Sequence, residues 1–314
     1  MKGNNMYNKC LEYLLSNNPD GVMSKSGVVF RKMLNPIIRG TGKLIGPYHL
    51  EILRKEPVRI KKPFTLEEKE YNKRPIIFVP THGFKDDFLY SIITMQAHAY
   101  ALHASIPYFY NSFDGILLWL NGVLIINRRD KESKKSALPK VSNVIKLGAN
   151  VTYFSEGTWN KSPNLLVLDL WNGIIKAAKE NNALLVPIAT MTVDDKICYS
   201  IQDSPIDVCD MDSKEAKIFL RDALASIKWE IMEHIASVNG ISKRENFEDD
   251  YWDNYVKKLI EPVKNFYDYE IENNSEYIDP TKVSEEEVFE CLDNVELTSN
   301  NAYVLVRTRN NRKG

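Results

Sequence analysis

His82 and Asp87 stand five positions apart in the stretch Thr81-His82-Gly83-Phe84-Lys85-Asp86-Asp87. A neutral imidazole can take a proton from a hydroxyl near pH 7, provided that a neighbour fixes its tautomer and steadies the imidazolium as it forms. His82 is of the type to be that base, and Asp87 to be that neighbour. Alone, such a pair is also what a partly exposed histidine near a helix start looks like, so the elements around it carry weight.

Those elements are legible. Pro75-Ile76-Ile77-Phe78-Val79-Pro80 is apolar, β-branched or aromatic, and bounded by prolines, which predicts a buried strand. His82 then falls at a strand's carboxyl end, the edge at which open α/β sheets bind ligands. Further strands are predicted over 48–59, 123–126, 151–154 and 183–188, with helices over 88–93, 112–120, 131–146 and 170–180 between them. Pro139 argues for a break or a late start in the third of these helices, and Ser133, Lys134 and Lys135 read as its solvent side. The Glu- and Lys-rich stretch 65–74 reads as a charged connection. Asp212 can cap a long helix with Glu215 at its third position, and Phe219, Leu220, Leu224, Ile227, Ile231 and Ile235 recur at helical spacing until Asn239-Gly240. The alternation predicts an α/β fold, a largely parallel central sheet with helices on both faces. Amphipathic helices are expected in a basic segment 1–47, the catalytic domain over 48–240, and a helical extension with an acidic tail over 241–314.

Composition narrows the classes. With 44% hydrophobic and 26% charged residues, the 314-residue chain has an ordinary globular balance and enough apolar surface for a sizeable core. Cys10, Cys198, Cys209 and Cys291 make no Cys-x-x-Cys pair and read as reduced thiols, with no metal site suggested. No run of about 18 apolar residues exists, because Asn121-Gly122 interrupts the best candidate, so no membrane span is expected. Asn4, Asn5, Asn8 and Lys9 break any signal-peptide core, and a cytoplasmic location is expected. The net charge of −1 hides a polarity: residues 1–75 carry 15 Lys or Arg against 7 Asp or Glu, while 268–296 is almost wholly acidic in its charges. The apolar and cationic segment Val28, Phe30, Arg31, Lys32, Met33, Leu34, Ile37, Ile38, Arg39 suits either packing on the domain or an anionic lipid surface. No zinc-finger, RNA-recognition or helix-turn-helix signal accompanies it, so lipid is expected and nucleic acid is not.

Four short blocks fall at predicted strand ends in fixed order: His82 through Asp87; Gly122-Val123-Leu124-Ile125-Ile126-Asn127-Arg128; Phe154-Ser155-Glu156-Gly157-Thr158; and Val186-Pro187-Ile188. In order and spacing they resemble the blocks of the glycerolipid acyltransferase family, the 1-acylglycerol-3-phosphate and related lysophospholipid acyltransferases. The likeness covers roughly residues 48–200. It implies transfer of a fatty acyl group from acyl-CoA or acyl carrier protein, as co-substrate rather than cofactor, to a lysolipid hydroxyl. It implies His82 as general base oriented by Asp87, Arg128 holding the acceptor phosphate, and Glu156, Gly157 and Thr158 shaping the acceptor site. A bacterial enzyme of phospholipid biosynthesis, peripheral on the inner face of the cell membrane, is the expected setting. The chemistry fits independently: a thioester is already activated, so no covalent enzyme intermediate is needed, and no Gly-x-Ser-x-Gly elbow is present.

The departures are specific. Thr81 and Ser155 replace the family's usual Asn and Pro, and Trp159 stands where the third block usually ends in arginine. That removes one cationic phosphate ligand unless Lys161 or Arg129 replaces it. Two alternatives therefore stay open: an N-acyltransferase or phospholipid transacylase at the same site, and a non-catalytic lipid-surface binding protein. Trp119 and Trp171 read as core aromatics, either of which could line an acyl groove.

Overall fold

The computed structural model describes residues 23–83, 87–103, 118–127, 130–157, 160, 166–193 and 196–238. Residues 1–22 of the expected basic segment, the extension beyond 240, Cys10 and Cys291 lie outside them. In chain order the elements are α1 (Lys25–Ile45), β1 (His49–Lys55), α2 (Leu66–Lys73), β2 (Ile76–Pro80), α3 (Asp87–Met95), β3 (Ala99–His103), β4 (Val123–Ile125), α4 (Lys131–Lys146), β5 (Asn150–Thr152), α5 (Gly173–Glu180), β6 (Leu184–Val193), β7 (Ile197–Gln202) and α6 (Ser213–Val238). The strands form one sheet in the order β1-β7-β6-β2-β5-β3-β4. Every pairing is parallel except that of β6 with β7.

β2 lies at the centre of this sheet, and all five of its residues are buried. Its alternation divides the core. Ile77 and Val79 pack with α4, α5 and α6 on one face, while Ile76 and Phe78 pack with Ile92 and Met95 of α3 on the other. Both faces are therefore covered, as the continuous apolar run requires of a parallel strand. The connection leaving β2 enters α3 on one face, and the connection leaving the adjacent β5 enters α5 on the opposite face. Two neighbouring parallel strands whose crossovers part in this way open a crevice at their carboxyl ends.

Several expectations are corrected. Residues 65–74 are not an open connection but helix α2, started by a full capping box in which Thr65 and Glu68 satisfy each other's backbone N–H groups. α4 runs through Pro139 without ending, so the break expected there does not occur. Ser133 faces inward enough to accept the Asn127 N–H at 2.8 Å, which ties the start of α4 to the end of β4. Strands β3 and β7 complete the sheet beyond the five predicted strands. Neither Trp119 nor Trp171 is a core residue, since they are 39% and 65% exposed.

α1 begins at Ser24, whose hydroxyl accepts the Gly27 N–H. Val28, Arg31, Asn35, Ile38 and Gly42 form its inner stripe. There the Arg31 guanidinium lies over the rings of Tyr100 and Trp119, and Gly42 allows Leu89 of α3 closer than any Cβ would, at 2.7 Å from the place it would occupy. Its outer stripe, Val29, Phe30, Met33, Ile37 and Leu44, is more than half exposed at every position. Among the described residues, no helix is long and apolar enough to cross a membrane.

Just before β3, His98 is buried with Nε2 on the Asn121 carbonyl at 2.8 Å and Nδ1 without a partner among the described residues. Burial pulls its pKa down to about 4, against the carbonyl contact that favours the charged form, with Lys32 and Arg31 adding to the lowering. An unfolded histidine protonates near pH 6.5, so between there and about pH 4 only the unfolded chain gains the proton. This residue's contribution is thus whole above that window and is lost as pH falls through it. In urea denaturation at about pH 7.5 and 4.5, His98→Gln should lose less stability on acidification than the parent, by on the order of 3 kcal/mol; equal losses would refute the assignment.

Candidate active site

The crevice at the carboxyl ends of β2 and β5 is where the first and third blocks emerge. Thr81 continues the β2–β6 ladder by donating its N–H to the Ile188 carbonyl at 2.8 Å, and Tyr153 continues the β5–β2 ladder by donating to the Phe78 carbonyl at 2.9 Å. The fourth block is the flanking stretch of β6, with Val186, Pro187 and Ile188 in register with Phe78, Val79 and Pro80. It stiffens the strand that delivers His82.

His82 Nδ1 lies 2.7 Å from Asp87 Oδ2. Asp87 is buried in the first turn of α3, where unpaired backbone N–H groups favour a carboxylate. In the neutral ring Nδ1 therefore carries the proton it gives to Asp87, and Nε2 carries the lone pair. That is the tautomer of a base. The Phe154 ring lies against the imidazole, centroids 4.7 Å apart, and Phe88 backs Phe154 at 6.0 Å.

The backbone of His82 is held as firmly as its ring. Its N–H donates to Glu156 Oε1 at 2.6 Å, and its carbonyl accepts the Asn160 N–H at 2.8 Å. The second Glu156 oxygen accepts the Leu168 N–H at 2.8 Å. Glu156 is 2% exposed. Burial pushes its carboxyl above the usual range, while Lys228, the His82 and Leu168 N–H groups and the His82 ring each favour the charged form. Its described contacts are those of a brace beneath the site, and sequence alone suggested an acceptor contact.

Gly157 has φ +72°, and a Cβ there would come within 2.5 Å of Trp171 Nε1. Glycine is thus required both by the left-handed backbone and by the indole lying across it. Trp171 donates its backbone N–H to the Ser155 carbonyl at 2.9 Å and its side chain is largely open to solvent, so the third block carries an exposed aromatic on its outer side. Arg128 and Thr158, and the substitutes Arg129, Trp159 and Lys161, lie outside the described residues. The strand that leads to Arg128 does end on the same edge of the sheet: β4 runs parallel to β2, β5 and β3, and Lys140 of α4 holds its last carbonyl, that of Ile125, at 3.1 Å. Three strand spacings, roughly 14 Å, separate β4 from β2. Among the described residues no group of three or more His, Cys, Asp or Glu gathers as a metal site would require.

The His82–Asp87 pair is thus brought together as its spacing suggested, and Glu156 joins it from the turn after β5, distant in sequence. Asn160, which holds the His82 carbonyl, and Leu168, which holds the Glu156 carboxylate, were not singled out. Asn160 lies two residues beyond the third block's Thr158, which is the one signal that pointed near it; a backbone N–H such as that of Leu168 leaves no trace in sequence.

Comparison with known proteins bears on the same region. Residues 61–191 match the family model described as Acyltransferase. No curated protein matches the chain. Among solved structures, the 1-acyl-sn-glycerophosphate (LPA) acyltransferase PlsC from Thermotoga maritima is similar in fold, with a TM-score of 0.50 at 15% identity over 72% of this chain and 97% of that one. The matched segment contains β2 to β5, most of β6, and all of the His82, Asp87 and Glu156 assembly, so the similarity to the acyltransferase family falls on the part of the chain that holds the candidate site.

Proposed function

We propose that this protein transfers a fatty acyl group from an acyl thioester, acyl-CoA or acyl carrier protein, to a hydroxyl of a lysophospholipid at a membrane surface. The observation that carries the reading is the 2.7 Å contact between His82 Nδ1 and Asp87 Oδ2 at the mouth of the β2–β5 crevice. His82 Nε2 takes the proton of the acceptor hydroxyl as its oxygen attacks the thioester carbonyl. The tetrahedral intermediate collapses with rupture of the C–S bond, and the imidazolium returns the proton to the departing thiolate. Asp87 remains a carboxylate throughout and stabilises the charged ring. Arg128 is assigned to an acidic acceptor headgroup, for which a guanidinium offers two parallel donors, and Gly157 and Thr158 to the acceptor's path. The acceptor for which the Thermotoga protein is named, 1-acyl-sn-glycerophosphate, is a phosphate-bearing lysolipid of this class.

The outer stripe of α1 supplies the surface contact. Phe30, Met33, Ile37 and Leu44 project outward, with Lys25 and Lys43 on the same helix to meet anionic headgroups. Trp159 in place of arginine favours a second reading of the acceptor, in which an amine or a second phospholipid takes part. The product distinguishes them.

Purified protein incubated with a long-chain acyl thioester and a cell lipid extract should release thiol and accumulate an ester-linked diacyl lipid, read by mass spectrometry. An amide product, or transfer without added thioester, would instead select the N-acyltransferase or transacylase. His82→Ala should lower kcat by at least about 10²-fold, and Asp87→Asn by a similar factor because an amide can stabilise the wrong tautomer; full turnover by His82→Ala would remove the proposed base. The parent should float with anionic liposomes at low salt. Phe30→Asp combined with Ile37→Asp should abolish flotation while leaving the thermal melt within a few degrees, since both side chains are exposed; undiminished flotation would exclude α1 as the contact.

A further inference from the structure

Lys228 lies on α6, outside residues 61–191, and donates to the Leu166 carbonyl at 2.8 Å. The same carbonyl accepts Asn160 Nδ2 at 3.1 Å, and it is Asn160 whose N–H holds the His82 carbonyl. Two residues further on, the Leu168 N–H holds the carboxylate that receives the His82 N–H. Both backbone groups of His82 therefore lead, by separate routes, to the short segment 166–168. One helix secures that segment, since Arg221 of α6 also points Nη2 at the Val167 carbonyl, at 3.3 Å. Residues 221 and 228 are two turns apart on one face of α6.

We infer that Lys228 is a positioning residue for the transfer reaction: by fixing segment 166–168 from α6, it holds the His82 imidazole where it meets the acceptor hydroxyl. This rests on the acyl-transfer reading above. Two physical effects act together. The ammonium anchors a carbonyl that Asn160 shares, so its removal loosens the tie on the His82 carbonyl. Its charge also favours the ionised form of buried Glu156, the form in which both oxygens accept. Among the described residues, the charged groups that bear on Glu156 are Lys228 from α6 and His82 from the end of β2. Losing the first lets burial act with less opposition, and a protonated Glu156 would have one oxygen carrying a proton toward a backbone N–H.

The test compares Lys228→Met and Lys228→Arg in the full chain. Lys228→Met should lower kcat by about 10- to 10²-fold, the scale of a small misplacement of a reacting group, with the KM for the thioester changed by no more than about two-fold. The acid limb of its kcat profile should move to higher pH, and Lys228→Arg should restore both. A second readout needs no substrate: the imidazole NMR signals of His82, distinguished from the other four histidines by their loss in His82→Gln, report its tautomer and titration midpoint. Lys228→Met should shift these signals and Lys228→Arg should not. If the parent transfers no acyl group while these signals respond, the acyl-transfer reading fails and the positioning role stands. If Lys228→Met keeps parental kcat, pH profile and His82 signals, the positioning role is overturned. Should Lys228→Met fail to fold, Lys228→Gln takes its place under the same expectations.

Discussion

A carboxylate buried at the level of Glu156 is costly, because the ion leaves water and must recover its hydration from fixed groups. Here the recovery comes from two backbone N–H donors, one on either side, with an ammonium close enough to favour the charge. Only an acceptor-only group can serve both donors. A glutamine would turn its own N–H₂ toward one of them, and an apolar residue would leave two buried donors unmet. The rest of the site depends on this bridge, since it joins the chain leaving β2 to the chain leaving β5 across 74 positions of sequence. Without it, the crevice between two diverging crossovers would be lined by two independent loops.

The elements that carry the bridge were legible because they are short, apolar and punctuated. Pro75 and Pro80 frame the central strand, and a fully buried parallel strand has no other composition available to it. Residues 65–74 misled because their Glu and Lys content indicates exposure, and an exposed helix has no apolar stripe to announce it. The Thr65–Glu68 capping box was the readable signal. Pro139 misled in the opposite direction: within a 16-residue helix the loss of one N–H donor is outweighed by burial of Val141, Val144 and Ile145 just beyond it. β7 is antiparallel to β6, and nothing in the alternation of strand and helix indicates that the sheet reverses there.

The site divided along a similar line. His82, Asp87 and Glu156 could be found because side-chain chemistry restricts which residue types can occupy those places. Leu168 could not, because its part is played by an amide that every residue but proline has. Lys228 is hidden for another reason: the periodicity of α6 marks Leu224, Ile227 and Ile231 as inward-facing, and a lysine beside them reads as the solvated flank of the helix. Its ammonium meets the Leu166 carbonyl only once the chain is folded, and no spacing in the sequence announces that contact.

Two kinds of restraint thus meet on one imidazole, from opposite faces of the sheet. From the α3 side, Asp87 acts on the ring and decides which nitrogen holds the proton. From the side of α5 and α6, Glu156 and Asn160 act on the backbone and decide where the ring sits. Neither can substitute for the other, because a correct tautomer in the wrong place cannot reach a hydroxyl, and a well-placed ring protonated on Nε2 cannot accept its proton. General-base catalysis requires geometry and protonation state together. A crevice between two crossovers that leave toward opposite faces of the sheet is a place where separate elements can supply the two independently. A His–Asp pair only five residues apart is thereby tied, through Asn160 and the Leu166 carbonyl, to a helix that begins more than a hundred residues later.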